Sequence, residues 1–249
     1  MNNFTLVYQP IVSLKSEEGY SVKGHEILAR FNNQNTQEAI LEMERTGKIP
    51  DFDLEILKCG LEIAQHTDKE ISINLSNSSI STEGFLEKLE EVIGIRHRNN
   101  LLVEITETQE PSPQHIDRLI EFCHSRSIRV GLDDYGSGFA DINLVKDHDF
   151  DFVKIDGELT KTYDSSITSR AKILQLSEYC EDKNIPITIE YIENAKQMMT
   201  FENIGISKGQ GYLFGAPQPK FTSDQQVRAN IVSQSRPKQL QEKGSEFNM

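Results

Sequence analysis

Short aliphatic and β-branched runs alternate with longer segments of helical periodicity along most of this chain. Eight such runs are predicted strands, and they are Phe4–Gln9, Ser21–Ala29, Glu70–Ser76, Leu101–Thr106, Ile128–Asp133, Asp151–Ile155, Ile185–Glu190 and a short one near Lys208–Tyr212. Apolar residues at helical spacing from Leu54 and from Phe85 predict helices, as do Ile116–His124, Ser166–Lys183, Ala195–Phe201 and Gln225–Ser233. Eight strands, most followed by a helix, predict an α/β fold, a TIM-like (β/α)8 barrel. A doubly wound open sheet is the main alternative.

The link between the first two predicted strands is short and contains Glu17-Glu18-Gly19. A parallel neighbour needs a crossover of a dozen or more residues, usually a helix, and this link is shorter than that. The first strand is therefore predicted to run antiparallel. We assign residues 1–233 to one barrel domain and residues 234–249, in a stretch with few apolar residues after Ile231, to a disordered tail.

The charge and hydropathy of the chain exclude some classes of binding partner. The 249 residues include 39 Asp and Glu against 26 Lys and Arg, for a formal net charge of −13. This balance argues against binding to duplex DNA, which requires a basic surface. No apolar run is long enough for a membrane helix, and the first residues lack the pattern of a signal peptide. We therefore expect a cytoplasmic protein with no membrane span and no duplex DNA partner.

Polar side chains interrupt seven of the predicted strands near their carboxyl ends. In a parallel barrel these ends converge on one face, and active sites of this fold are built there. The side chains expected to meet in one basin are Glu26, Asn74, Glu104, Asp133, Asp134, Lys154, Glu190 and Gln210.

Five of these side chains are carboxylates, and they repel one another. Two like charges at ~4 Å repel by roughly 4 kcal/mol at an effective dielectric constant of about 20. Either several of them are protonated, or cations are bound. The all-oxygen ligand set favours Mg²⁺ or Mn²⁺, and two divalent ions would neutralise five carboxylates and one lysine. Two such ions ~3.5–4 Å apart are the usual apparatus for hydrolysis of a phosphodiester.

At these residues the sequence resembles the EAL-domain family of cyclic di-GMP phosphodiesterases, from about Phe4 to Pro219. The matching blocks are Tyr8-Gln9-Pro10-Ile11-Val12, Glu26-Ile27-Leu28-Ala29-Arg30, Asn74-Leu75-Ser76, Glu104-Ile105-Thr106-Glu107, Asp133-Asp134-Tyr135-Gly136-Ser137-Gly138, Lys154-Ile155-Asp156 and Gln210-Gly211-Tyr212.

The resemblance implies hydrolysis of cyclic di-GMP to linear pGpG with two Mg²⁺ or Mn²⁺ ions, in a homodimer. The dimer would form beside the glycine loop, the loop after the two aspartates that contains Gly136 and Gly138. The implied metal ligands are Glu26, Asn74, Glu104, Asp133, Asp134 and Glu190. The implied catalytic residues are Glu26, Glu190, Lys154 and Gln210, of which the last two would position the attacking water. The implied substrate contacts are Arg30, on a phosphate, and Gln9, Asp53 and Glu193, while Glu107 would anchor the glycine loop.

The main departure from the family pattern is Tyr191, which follows Glu190 where the family usually has glycine. It motivates a second hypothesis, a weakly active or inactive domain that binds cyclic di-GMP or a protein partner. A barrel enzyme that enolises its substrate would need a dedicated base, and a glycosidase needs only two carboxylates. Some sites also have simpler interpretations. Asp53 is suited to capping a helix start, Glu193 to opening the helix from Asn194, and Arg30 to a surface ion pair.

Overall fold

The computed structural model describes residues 4–15, 19–32, 34–94, 99–106 and 112–235. The strands are β1 Phe4–Ser13, β2 Val22–Phe31, β3 Glu70–Ser76, β4 Leu101–Thr106, β5 Arg129–Tyr135, β6 Phe152–Ile155, β7 Ile187–Ile189 and β8 Lys208–Gly209. The helices are α1 Thr36–Arg45, α2 Ile49–Ala64, α3 Asn77–Ile80, α4 Phe85–Ile93, α5 Pro113–His124, α6 Ile142–Asp147, α7 Gly157–Thr162, α8 Ile167–Lys183, α9 Ala195–Asn203 and α10 Asp224–Ser235.

The eight strands form one closed barrel in sequence order. Strands β2 to β8 pair in parallel, whereas β1 runs antiparallel to both of its neighbours, β2 and β8. The predicted barrel and its antiparallel first strand are confirmed. The open-sheet alternative is wrong, because every strand has two partners.

Several element bounds differ from the prediction. Strand β1 continues to Ser13 because its second half pairs with β2 and, at its end, with β8. Strands β7 and β8 are shorter than predicted, since the chain leaves the sheet before Glu190 and Gln210. Helix α1 was not predicted, because among its residues only Ala39 is buried. It is capped by Asn35, whose Oδ1 accepts from the backbone N–H of Gln37 at 2.8 Å.

The alternation of side chains along each strand separates the apolar core from the polar interior. Ile71, Ile73 and Ile105 are fully buried and belong to the core that surrounds the barrel, together with Leu57 of α2. The residues between them, such as Ser72, face the inside of the barrel. A single face of each strand therefore carries the polar side chains into the barrel mouth.

The segment after β8 packs on the outer side of β2. His25 is 1% exposed, its ring stacks on Phe221 with 4.3 Å between ring centroids, and its Nε2 accepts from the backbone N–H of Thr222 at 3.0 Å. Because Nε2 is the acceptor, the imidazole is neutral in this arrangement.

Helix α10 holds the end of the β1–β2 hairpin. Its Asp224 Oδ1 accepts from the backbone N–H of Val22 at 2.8 Å, and Arg228 Nε donates to the carbonyl of Gly19 at 2.9 Å. The helix ends at Ser235, two residues into the predicted tail, and residues 236–249 lie outside the described residues. Among the described helices, none combines the length and the hydropathy that a bilayer-spanning segment needs.

Candidate active site

Lys154 lies at the centre of the barrel mouth, on β6, and is 1% exposed. Its Nζ lies 2.9 Å from carboxylate oxygens of Glu104, Asp133 and Glu190, and 3.4 Å from Glu26. These four acids come from β2, β4, β5 and the residue after β7. The predicted convergence of strand-end residues on one basin therefore matches the geometry of the barrel.

Glu26 is held by two amide side chains as well as by the lysine. Asn74 Nδ2 donates to its Oε1 at 2.8 Å, and Gln210 Nε2 donates to its Oε2 at 2.6 Å. Gln210 Nε2 also donates to the Oε1 of Gln9 at 3.1 Å. Gln9 on β1 lies directly opposite Glu26 on β2 in the sheet. The carboxylate is thereby fixed in one orientation.

Glu104 is the most deeply placed acid of the cluster, at 0% exposure. Its second oxygen accepts from the hydroxyl of Ser72, which is also fully buried. The sequence reasoning missed Ser72, although the signal was present. Ser72 lies two residues before Asn74 on the same strand and therefore faces the same interior.

Asp133 and Asp134 are adjacent, and adjacent strand residues normally point to opposite faces. In β5 the pairing with β6 shifts by one residue between Leu132 and Tyr135, which is the mark of a β-bulge. Asp134 adopts a left-handed backbone, with φ of 54°. The bulge thus removes the regular alternation at the two aspartates, and both interact electrostatically with Lys154.

Burial governs the protonation of the cluster. Burial raises the pKa of Glu104 and the pKa of Asp133. It also raises the pKa of Glu190 to about 8 and the pKa of Asp134 to about 7. The neighbouring carboxylates act in the same direction on all four acids. Burial acts in the same direction on Glu26, but the charge of Lys154 and the hydrogen bonds from Gln210 and Asn74 outweigh it and lower the pKa. For Lys154, burial is outweighed by the surrounding acids, so its pKa lies well above the usual value. The cluster is therefore short of positive charge at neutral pH.

The cluster fits a hard divalent cation. Glu26, Glu104 and Asp133 each offer a carboxylate oxygen, and these three atoms lie within 4.8 Å of one another. Asn74 Oδ1 is buried and has no hydrogen-bond partner among the described residues, while its Nδ2 is used by Glu26. A buried amide oxygen beside carboxylates is a typical ligand for Mg²⁺ or Mn²⁺.

A cavity of about 330 Å³ adjoins the cluster and shares Glu26, Glu190 and Gln210 with it. Three of the expected substrate contacts, Gln9, Arg30 and Glu193, also line this cavity. Arg30 Nη1 donates to the Ala29 carbonyl at 2.9 Å, and none of the described carboxylates forms an ion pair with it. The simpler interpretation of Arg30 as part of a surface ion pair is therefore not supported in the described part of the chain.

Tyr191 also lines the cavity, with a left-handed backbone of φ 60°. The side chain lies against Lys161 of α7, and Glu190 next to it is in contact with Lys154. The neighbouring carboxylate of Glu193 raises the pKa of the Tyr191 hydroxyl. It is Asn194 that caps α9, accepting from the backbone N–H of Gln197. Glu193 contributes to the start of α9 through its backbone N–H, which donates to Gln197 Oε1 at 2.9 Å, while the residue also lines the cavity.

Asp53 lies elsewhere and has a different environment. It is inside α2, whose first residue is Ile49, so the interpretation of Asp53 as an N-cap is wrong. Its Oδ2 accepts from the backbone N–H of Ser76 at 2.8 Å and from the Ser79 hydroxyl at 2.6 Å, which ties α2 to the end of β3. Burial raises its pKa to about 7.

Asp53 also lines a separate cavity of about 230 Å³, together with Arg30 and Asn74. Arg30 therefore borders both cavities. Glu107, the expected anchor of the glycine loop, lies outside the described residues.

Comparison with known proteins gives consistent results. Cyclic di-GMP phosphodiesterase PdeB of Shewanella oneidensis is 28% identical over 94% of this chain, which spans 29% of that protein. An EAL domain protein from Listeria monocytogenes EGD-e has the same fold, with a TM-score of 0.73 and 21% identity over 87% of this chain and 89% of that chain. The FimX EAL domain from Pseudomonas aeruginosa, solved bound to c-di-GMP, gives a TM-score of 0.74 at 18% identity, covering 89% of this chain and 93% of that chain.

The family model for the EAL domain matches residues 1–217, which is most of the chain. That match covers the whole barrel and every strand that contributes to the acidic cluster. The chain therefore belongs to the EAL domain family.

Proposed function

We propose that this chain hydrolyses cyclic di-GMP to linear pGpG, with two divalent ions, Mg²⁺ or Mn²⁺, held by the cluster at the barrel mouth. The observation that carries the proposal is the set of four carboxylates around Lys154. Beside them lies the buried Oδ1 of Asn74, which has no hydrogen-bond partner in the described part of the chain. The name of the Shewanella relative and the c-di-GMP bound to the Pseudomonas domain support the choice of substrate.

The proposed ligands of the ions are Glu26, Asn74, Glu104, Asp133, Asp134 and Glu190. Ions bound there would polarise the phosphodiester and make water a better nucleophile near neutral pH. Because Glu104 is fixed by Ser72, and Glu26 by Asn74 and Gln210, the ligands are oriented before the substrate arrives.

Lys154 and Gln210 have separate proposed roles. Lys154 compensates the crowded acids and stabilises the negative charge that grows on the phosphoryl oxygens during attack. Gln210 Oε1 is buried and has no hydrogen-bond partner among the described residues, while its Nε2 is used by Glu26. In this proposal the acceptor would hold a proton of the attacking water and so orient its lone pair.

The proposed substrate contacts lie beside the cluster. Arg30 presents a planar guanidinium to the cavity and would bind a phosphate of the dinucleotide. Gln9 and Glu193 line the same cavity and would contact the nucleoside. Asp53 would act from the neighbouring cavity, where its carboxyl group is already used by Ser76 and Ser79.

The direct test is hydrolysis by the purified chain. We expect pGpG from cyclic di-GMP with Mn²⁺ or Mg²⁺, followed by chromatography, and none after chelation with EDTA. Glu26→Gln keeps the side-chain shape but removes a charged ligand, so we expect a rate at least about 100-fold lower. The control is Glu181→Gln, at an exposed position near the end of α8, which should keep the wild-type rate. A near-normal rate in Glu26→Gln would contradict the metal assignment.

A second candidate function is binding of cyclic di-GMP without hydrolysis. The observation in its favour is Tyr191, a bulky residue with positive φ next to Glu190. Titration calorimetry separates the two functions, because a receptor would bind cyclic di-GMP tightly while no pGpG forms in the presence of metal. Absence of both binding and product would point to a protein-interaction role.

The proposal includes a homodimer formed beside the glycine loop. Phe139, in this loop, is 52% exposed, which leaves an apolar side chain available to a second copy. Size-exclusion chromatography with light scattering should give twice the chain mass of 28.3 kDa. A mass equal to one chain would contradict this part of the proposal.

A further inference from the structure

Tyr191 occupies a position that disfavours a side chain. Its φ of 60° is in the left-handed region, where a residue other than glycine is strained. Burial in a core does not explain it, because the residue is 39% exposed. A strained, half-exposed aromatic residue beside a cluster of acids is a candidate for a functional role.

The ring of Tyr191 is held in place from one direction. Lys161 Nζ lies 4.1 Å from the ring centroid, in a cation–π contact. A methyl group added to Gly157 would approach Tyr191 Cβ to 3.1 Å, so this glycine gives the tyrosine its space. Gly157 and Lys161 are one turn apart on α7, and this helix therefore supports one side of the ring.

The tyrosine also forms part of the wall beside the reaction centre. The 330 Å³ cavity that it lines contains Glu190, Glu26 and Gln210 at one end. Tyr212, which is 63% exposed, lines the same cavity. An aromatic ring at this place can support a planar group that is attached to the reacting phosphate.

We propose that Tyr191, backed by Lys161 and Gly157, is a substrate-contact residue on which a purine base of the cyclic dinucleotide stacks next to the scissile phosphodiester. This inference rests on the proposed function. Stacking of a base on an aromatic side chain tolerates different bases and strengthens binding more than it changes the chemical step. The residue would thus set the affinity for a nucleotide substrate while the acids perform the reaction.

The test compares three substitutions at this position. Tyr191→Leu and Tyr191→Gly should raise KM for cyclic di-GMP about 10-fold with kcat within about twofold of wild type. Tyr191→Phe keeps the ring and should stay near wild type. Tyr191→Gly should also raise Tm by about 2–4 °C, because glycine relieves the backbone strain. Tyr179→Leu is the matched control, since Tyr179 also has a lysine, Lys146, over its ring at 5.5 Å but does not line the cavity.

The outcomes separate the inference from the proposed function. An unchanged KM in Tyr191→Leu, or a faster Tyr191→Gly enzyme with lower KM, would overturn the inference while wild-type hydrolysis upheld the function. If wild type binds cyclic di-GMP without hydrolysing it, the Kd replaces KM with the same expected ratio. Wild type that neither binds nor hydrolyses cyclic di-GMP would overturn the function and the inference together.

Discussion

Protonation of His25 should weaken the fold in mildly acidic solution. The ring is 1% exposed between β2 and Phe221, and its Nε2 accepts from the backbone N–H of Thr222. Burial, helped by the positive charge of Lys69, lowers its pKa from 6.5 to about 4. An imidazolium has no lone pair for Thr222, so the charged form opposes the packing of this segment.

The size and sign of the effect follow from the two pKa values. The unfolded chain binds the proton near pH 6.5 and the folded chain only near pH 4, so stability rises with pH between these values. The contribution of His25 is complete above pH 6.5 and is lost as pH falls through about 4. A gap of 2.5 pKa units corresponds to about 3 kcal/mol in total, of which about 2 kcal/mol is lost between pH 7 and pH 5.

The perturbation is His25→Gln, which removes the titrating group while keeping a polar side chain. Equilibrium urea unfolding at pH 7, 6 and 5 gives the free energy of unfolding of each protein. Carboxylates titrate in both proteins, so the difference between the two curves isolates His25. The control is His66→Gln, since His66 is exposed. If the wild-type and His25→Gln curves stay parallel from pH 7 to pH 5, the reasoning is refuted.

Three further substitutions test the barrel mouth and the sheet. Lys154→Met leaves four acids without their cation, so we expect the free energy of unfolding to fall by about 3–5 kcal/mol in the presence of a chelator and to recover partly in Mn²⁺. Thermal unfolding measures this change, and wild-type stability of the variant in chelator would contradict the central role of the lysine. Ser72→Ala removes the donor to Glu104 and should weaken Mn²⁺ binding about 10-fold in a calorimetric titration, an unchanged Kd counting against the contact. Gly131→Ala places a Cβ against the Phe152 ring and should cost about 1–3 kcal/mol in urea unfolding, with no loss if the ring simply moves aside.

The sequence was informative wherever a regular strand ends in a polar residue. Asn74 and Glu104 follow apolar runs in neighbouring parallel strands, and they pair directly in the sheet. Lys154 likewise lies on the interior face of β6 and contacts acids from several strands. Strand periodicity and the convergence of strand ends are local rules, so they predict such positions from a single sequence.

Other parts of the site depend on tertiary structure. The one-residue register shift after Leu132 lets both Asp133 and Asp134 interact with Lys154. This shift follows from the pairing of β5 with β6 and has no simple sequence signal. The apolar periodicity from Leu54 predicts a later start for α2 than the observed one at Ile49, so Asp53 lies inside the helix and not at its cap. Pro50 in the first turn is typical of a helix start and indicates the true one. The direction of the Tyr191 ring depends on the space left by Gly157, 34 positions earlier in the chain.

The match to the EAL family ends at residue 217, but the folded unit continues through α10. A chain shortened to residue 217 would lose Asp224 and Arg228, whose side chains bond to the backbone at the end of the β1–β2 hairpin. β1 closes the barrel by pairing with both β2 and β8, so loosening this hairpin would weaken the closure of the barrel. Fusions and domain exchanges that use this barrel should therefore carry residues 218–235 with it.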